Sequence, residues 1–123
     1  MKTSSTVYEQ HHAHTQRTSA HAVLHGGEHV ASVTIAYPKD GAGRLYAYAH
    51  WIGSEMVRGQ AKGYGYDKRS AALSDAASKR LAAVTSIRGT AEASFWEGLA
   101  NSDNGKVWDH ELETHGFKIA QVC

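Results

Sequence analysis

The sequence predicts an α+β fold in which a three- to four-stranded antiparallel sheet carries two or three helices on one face. Two observations lead to this prediction. Hydrophobic residues alternate between about 29 and 63, whereas after a glycine-rich junction at 62–67 they follow a helical period. The 123 residues suffice for one hydrophobic core. We therefore expect a single domain at 21–123, preceded at 1–20 by a polar segment that forms a flexible arm or an edge strand.

The predicted strands lie between residues 29 and 63. The run HVASVTIAY at 29–37 places Val33, Ile35 and Tyr37 on one side, and RLYAYAHWI at 44–52 alternates in the same way. The intervening PKDGAG at 38–43 has the residues of a turn. Gly53-Ser54 fits a second hairpin turn, which leads into a third strand.

The helices are predicted in the second half of the chain. Asp67 is expected to cap a helix that starts near Lys68 and is rich in small alanines, which allow close packing on the sheet. A second helix follows Thr90, its expected cap, and a third segment has helical spacing around Trp108. The short apolar run at 117–122 is expected to add a last strand.

No sequence motif of a known catalytic or nucleotide-binding class occurs in the chain: there is no GxSxG, no HExxH, no P-loop and no Rossmann fingerprint. The single cysteine, Cys123, excludes an intramolecular disulfide and a cysteine-based zinc site. We therefore expect a protein that is not an enzyme and has no cofactor. The absence of an apolar run of about 18 residues and of an N-terminal signal sequence predicts a cytoplasmic protein with no membrane contact.

Histidines are unusually frequent, and a His-dependent metal-binding protein is the third hypothesis for function. The spacing of His21, His25 and His29 would align three imidazoles on a helix, but Gly26-Gly27 interrupts any helix there. We therefore assign no metal ligand and expect a polar, pH-sensitive surface instead. The seven histidines of the first fifty residues are His11, His12, His14, His21, His25, His29 and His50.

Charge is distributed unevenly along the chain. Residues 1–91 hold eleven of the 13 basic side chains, whereas residues 92–123 hold six of the 12 acidic ones and only two basic ones. The pattern indicates either ordinary solvated faces or a molecule with one basic and one acidic face. The residues of the candidate acidic face are Glu97, Asp103, Asp109, Glu111 and Glu113.

The stretch GQAKGYGYDKRSAALSDAASKRL at 59–81 resembles the last strand, turn and helix of double-stranded-RNA-binding domains. In that family a basic cluster at the start of the helix contacts phosphates. The resemblance implies that Lys62, Lys68 and Arg69 bind nucleic acid. This is the alternative function.

The junction GYGYDKRSAA at 63–72 also resembles small accessory proteins of bacteriophages and prophages, among them anti-CRISPR and other anti-defence proteins. This resemblance implies a non-catalytic inhibitor that binds a host or defence-system protein complex in the bacterial cytoplasm. Its acidic face would imitate DNA, with Trp96 and Trp108 either anchoring the partner or filling the core. The junction itself is expected to be structural, through Gly63, Tyr64, Gly65, Tyr66 and Asp67. Neither the partner's identity nor an oligomeric state is indicated.

Overall fold

The computed structural model describes residues 15–38, 43–63 and 65–122 and confirms the α+β class. The sheet is larger than predicted, with five antiparallel strands in the order β4-β3-β2-β1-β5. In chain order the elements are β1 (Thr15–His25), β2 (Glu28–Pro38), β3 (Arg44–Trp51), β4 (Val57–Lys62), α1 (Tyr66–Ala83), α2 (Ala91–Asn101), α3 (Trp108–Thr114) and β5 (Lys118–Gln121).

Strand β1 is the main difference from the prediction. It pairs with β2 on one side and β5 on the other, so it is an interior strand over His21–Leu24. The expected boundary between arm and domain at residue 20 therefore falls inside β1. The hairpin between β1 and β2 turns through Gly26 and Gly27, whose φ angles of 59° and 83° match a type I′ turn. Of the predicted arm, residues 1–14 lie outside the described residues.

All three helices pack on one face of the sheet around a single core. Along each strand, successive side chains point alternately to the face covered by the helices and to the open face. The cross-strand pairs Val33–Ala49 and Ile35–Ala47 lie on the covered face. Phe95 and Trp96 of α2 are fully buried there. The last strand, predicted from the apolar run at 117–122, is confirmed as β5 and closes the far edge of the described sheet.

Helix α1 lies unusually close to the sheet at Gly59 of β4. A methyl group at Gly59 would overlap the carbonyl oxygen of Ala72 and stand 2.5 Å from the backbone nitrogen of Ala76. The small side chains of Ala72, Ala76 and Ala77, all fully buried, permit this approach. Only glycine at position 59 is compatible with it.

Of the two predicted helix caps, Thr90 is confirmed and Asp67 is wrong. Thr90 is confirmed as the cap of α2, because its hydroxyl oxygen accepts from the backbone N–H of Ala93 at 3.2 Å. Asp67 is not the cap of α1: the N-cap residue is Gly65, no side chain caps this helix, and Asp67 lies in the first turn with its side chain 78% exposed. The aspartate therefore acts through its charge, which interacts with the helix dipole and with Lys68 at 4.0 Å.

Glu92 connects α2 to two other parts of the fold. Its Oε2 accepts hydrogen bonds from Ser54 Oγ at 3.2 Å, from Arg80 Nη2 at 3.2 Å and from Trp96 Nε1 at 3.0 Å. One largely buried carboxylate thus links the β3–β4 turn, the end of α1 and the first turns of α2. Within the described residues no helix is long and apolar enough to cross a membrane.

Gly59→Ala is expected to lower the free energy of unfolding by about 3 kcal/mol, because the new methyl group meets backbone atoms of α1 that cannot repack. Urea denaturation followed by circular dichroism measures the change. Gln60→Ala, on the exposed side of the same strand, is the matched control and should stay within about 0.5 kcal/mol of the parent protein. Equal stability of Gly59→Ala and the parent would contradict the close approach.

The two helix starts should differ in their sensitivity to substitution. Thr90→Ala removes a side-chain cap and should cost about 1 kcal/mol of stability. Asp67→Ala removes only an exposed first-turn charge and should cost no more than about 0.5 kcal/mol. Thermal unfolding of both variants under the same conditions tests the order, and a larger loss for Asp67→Ala would show that Asp67 does cap α1.

Candidate binding surfaces

Four of the five predicted acidic residues are accessible on the helical side. Glu97 of α2, Asp103 of the following loop and Glu113 of α3 are exposed, and Asp109 is partly exposed. Among the described residues none of the four forms an ion pair. We call these four residues the acidic helical surface.

Helices α2 and α3, which carry three of these carboxylates, pack on each other at Gly98. Gly98 is buried against Leu112 and His115, whose side-chain atoms lie 3.0 and 3.4 Å from the position of a Cβ at Gly98. Glu97 and Glu113 directly flank this contact in sequence. On α3, Asp109 and Glu113 are four residues apart and therefore share a helix face.

Glu111, the fifth predicted residue, does not belong to the acidic helical surface. It is only 8% exposed, and its Oε1 lies 3.8 Å from Lys106 Nζ and 4.0 Å from His115 Nδ1. The spacing of α3 explains the difference, because Glu111 is about half a turn from both Asp109 and Glu113. The carboxylate of Glu111 therefore interacts with residues of the same molecule.

The two candidate tryptophan anchors are core residues. Trp96 is fully buried and Trp108 is 2% exposed. The Trp96 indole donates to Glu92, and the backbone nitrogen of Trp108 donates to Ser70 Oγ at 3.1 Å. Neither side chain is presented to a partner, so the acidic helical surface has no aromatic anchor from these positions.

The basic junction contributes fewer available cations than its sequence suggests. Arg69 Nε donates to the Tyr37 hydroxyl at 2.5 Å, and its guanidinium stacks on the rings of Tyr37 and Tyr66. The Lys68 stem lies against Gly63, and its Nζ is 4.0 Å from Asp67. Arg69 is thus committed to holding α1 on the sheet.

The other junction residues are mainly structural in their placement. Gly63 and Gly65 have φ angles of 87° and 120°, which glycine adopts without strain. Tyr66 is 53% exposed and carries the Arg69 guanidinium on its ring. Tyr64 lies outside the described residues. The described residues of the junction therefore turn the chain from β4 into α1.

The histidines that the structure describes do not form a metal site. No group of three or more histidine, cysteine, aspartate or glutamate side chains converges within the described ranges. His29 and His50 bond to the backbone carbonyls of Ala31 and Ser54, each at 2.9 Å. His11, His12 and His14 lie outside the described residues.

His21 occupies a partly buried position between β1 and α3. Its ring packs edge-on against Trp108 with 5.0 Å between centroids. Three buried polar atoms here have no hydrogen-bond partner among the described residues: Ser19 Oγ, His21 Nδ1 and Trp108 Nε1. Burial lowers the pKa of His21, and this effect exceeds the opposing effects of the Val33 backbone and the Asp109 carboxylate, while Arg69 lowers the pKa further.

The face of the sheet opposite the helices is basic and aromatic. We call it the open sheet face. Tyr46 and Tyr48 of β3 point to this side, because they alternate with the buried Leu45, Ala47 and Ala49. The exposed cations on it are Arg44, Arg58, Lys62 and Lys118. In RLYAYAH and VRGQAK every second residue is basic, aromatic or polar. The character of this face could therefore be predicted from the sequence once the strands were assigned.

Comparison with models of known protein families, with curated proteins and with solved structures gives no match to this chain. The assignment of function therefore depends on the surfaces described above.

His21 should make the protein less stable in mild acid. Because its pKa in the folded state lies below the usual 6.5, the unfolded chain binds the proton more tightly. The stability gained from neutral His21 is complete above pH 6.5 and is lost as the pH falls through the folded-state pKa. The free energy of unfolding should therefore fall more between pH 7.5 and pH 5 in the parent protein than in His21→Phe, which cannot take up a proton.

Urea denaturation at the two pH values measures the effect. His110→Gln, at an exposed position, is the control and should retain the parent's pH dependence. If His21→Phe and the parent lose the same amount of stability, protonation of His21 does not contribute to acid destabilisation.

Proposed function

We propose that this chain is a non-enzymatic accessory protein of a bacteriophage or other mobile element, and that it inhibits a bacterial defence system, such as CRISPR-Cas, by binding one of its protein complexes. The acidic helical surface is the proposed contact. Its carboxylates would take the place of nucleic-acid phosphates in a basic groove of the partner.

The observation that carries this proposal is the imbalance of paired and unpaired charge on the helical side. The cations of Lys79, Arg80 and Lys106 each lie within 3.8 Å of a carboxylate of the same molecule. The four carboxylates of the acidic helical surface form no such pair within the described residues. The unneutralised charge on this side is therefore mainly negative, which favours a positively charged partner.

Exposed charges of this kind affect chiefly the rate of association with a partner and the specificity for that partner. They accelerate association with a surface of opposite sign, and added salt weakens that effect by screening. Since the tryptophans are buried, affinity would have to come from the charges together with smaller exposed side chains. Strong salt dependence is thus an expected property of the complex.

The alternative function, duplex RNA binding through the basic junction, has less support from the geometry. Arg69 is occupied by Tyr37 and Tyr66, and Asp67 stands beside Lys68. Two phosphate contacts from Lys62 and Lys68 would give only weak, salt-sensitive binding.

Charge reversal on the acidic helical surface tests the proposal. Glu97→Lys, Asp103→Lys and Glu113→Lys should each weaken inhibition of a bacterial immune system in a plaque assay, and the triple variant should abolish it. The fold should remain intact because these side chains are exposed and unpaired within the described residues. Glu111 is left unchanged, since reversal of a buried, paired carboxylate is expected to destabilise the protein.

Glu28→Lys is the matched control, because it makes the same charge change at an exposed residue of the β1–β2 hairpin. It should retain full inhibition. Equal inhibition by the triple variant and the parent would exclude the acidic helical surface as the contact. If the parent protein inhibits none of the immune systems tested, the proposed function is wrong.

A further inference from the structure

We propose that the open sheet face binds single-stranded nucleic acid. This inference concerns a different surface from the acidic helical surface and does not depend on the proposed inhibitor function. It comes from three features of the face: the sign of its charges, one unfavourable cross-strand pair and the position of two tyrosines.

The first feature is that the charges on the open sheet face have one sign. Arg44, Arg58, Lys62 and Lys118 are all exposed there. Glu28 is the only carboxylate in the described strands, and it pairs with His25, whose ring packs on Phe117 on the helical side. The open sheet face of the described strands therefore has no acidic side chain. A polyanion is the ligand that such a field attracts.

The second feature is a like-charge pair. Arg44 and Lys62 are direct cross-strand neighbours at one end of β3 and β4. Like charges in this position destabilise a sheet. Since no carboxylate of the described strands compensates them on this face, a bound phosphate between the two side chains would relieve the repulsion. The pair thus marks one position for the nucleic-acid backbone.

The third feature is an aromatic platform beside these cations. Tyr46 and Tyr48 are two residues apart on β3, which puts their attachment points about 7 Å from each other on the same face. Arg58 pairs with Tyr48 across the strands and stands 5.4 Å from the centre of the Tyr46 ring. Aromatic rings stack on unpaired bases of any sequence, and arginine adds stacking and a phosphate contact.

The residues beside the tyrosines on the open sheet face have small side chains, and Ala36, opposite Tyr46, is fully buried. Thr34, opposite Tyr48, and Ser32, opposite His50, are partly exposed, and Ala20 and Ala22 continue the face on β1. Lys118 follows on β5 at the far side. Four strand spacings separate β4 from β5, about 19 Å in all, so the face accommodates several nucleotides.

A single strand fits these features better than a duplex does. In a duplex the bases are paired and stacked inside, so two partly exposed tyrosines on a sheet would find no base to stack on. Unpaired bases can lie beside the tyrosine rings, with Arg58 stacked on Tyr46, while their phosphates contact Arg44 and Lys62. Nothing in these contacts requires a 2′-hydroxyl, and DNA and RNA strands should bind alike.

Fluorescence anisotropy with labelled 12-nucleotide oligo-dT and oligo-U tests the proposal, at 50 and 200 mM NaCl. The parent protein should bind both strands and should bind a 12-base-pair duplex at least tenfold more weakly. Lys62→Glu should weaken binding and lower the slope of log K against log salt by at least about 0.7, the value for one lost phosphate contact with a single strand. Tyr46→Leu, which keeps an apolar side chain, should weaken binding about 5- to 100-fold at both salt concentrations.

Arg88→Glu is the control for Lys62→Glu, since Arg88 is an exposed cation in the loop between α1 and α2. It should bind like the parent, and circular dichroism should show that all variants are folded. The proposal is overturned if the parent does not bind at 50 mM NaCl, if the duplex binds as well as the single strands, or if Arg88→Glu weakens binding as much as Lys62→Glu. A dimer that Tyr46→Leu and Lys62→Glu dissociate would also overturn it, because the face would then contact a second copy.

Discussion

The close contact between α1 and β4 at Gly59 determines the position of most other elements. With no side chain at Gly59, the backbone of α1 rests on the sheet at Ala72 and Ala76. This placement brings Arg80 near the end of α1 to Glu92 of α2 and Ser70 near its start to the first residue of α3. A larger residue would lift the helix and separate both contacts at once. The alanines of α1 therefore serve to bring backbones together more than to supply apolar area.

Glu92 shows why the position of α1 matters for the rest of the helical layer. Its carboxylate receives hydrogen bonds from Arg80, Trp96 and Ser54, and a buried carboxylate of this kind is stabilising only when its partners are all in place. The three donors come from different elements, so each element fixes the others. The same principle applies at Glu111, which Lys106 and His115 hold at the edge of α3. Two acids of the C-terminal region are thus structural, whereas the acidic helical surface forms no ion pair within the described residues.

The sequence was sufficient for the strands and helices with clear periodicity and insufficient where polar residues occupy the core side. Strands β2, β3 and β4 and all three helices were predicted, and so was β5. Strand β1 was predicted only as one alternative, an edge strand within 1–20, because its core face carries Ser19 and His21 beside Val23, although Gly26-Gly27 is a hairpin signal that could have identified it. Asp67 was misassigned as a cap because the chain enters α1 through Gly65, two residues earlier. Glu111 was misjudged because sequence alone does not reveal which face of a short helix is buried.

The uneven distribution of charge along the sequence can be related to the two layers of the fold, the sheet and the helices. The strands rich in basic residues come first and place their alternate side chains on the open sheet face, whereas the acidic segment forms helices on the opposite side. The sheet thus separates the cations of the open sheet face from the acidic helical surface, and the helical layer holds its own cations, several of them in local ion pairs such as Lys79 with Asp75. Two surfaces of opposite sign on one small domain would attract each other between molecules. A nucleic acid on one surface and a basic protein on the other would remove that attraction, so the two proposed ligands are compatible and bind without competing for residues.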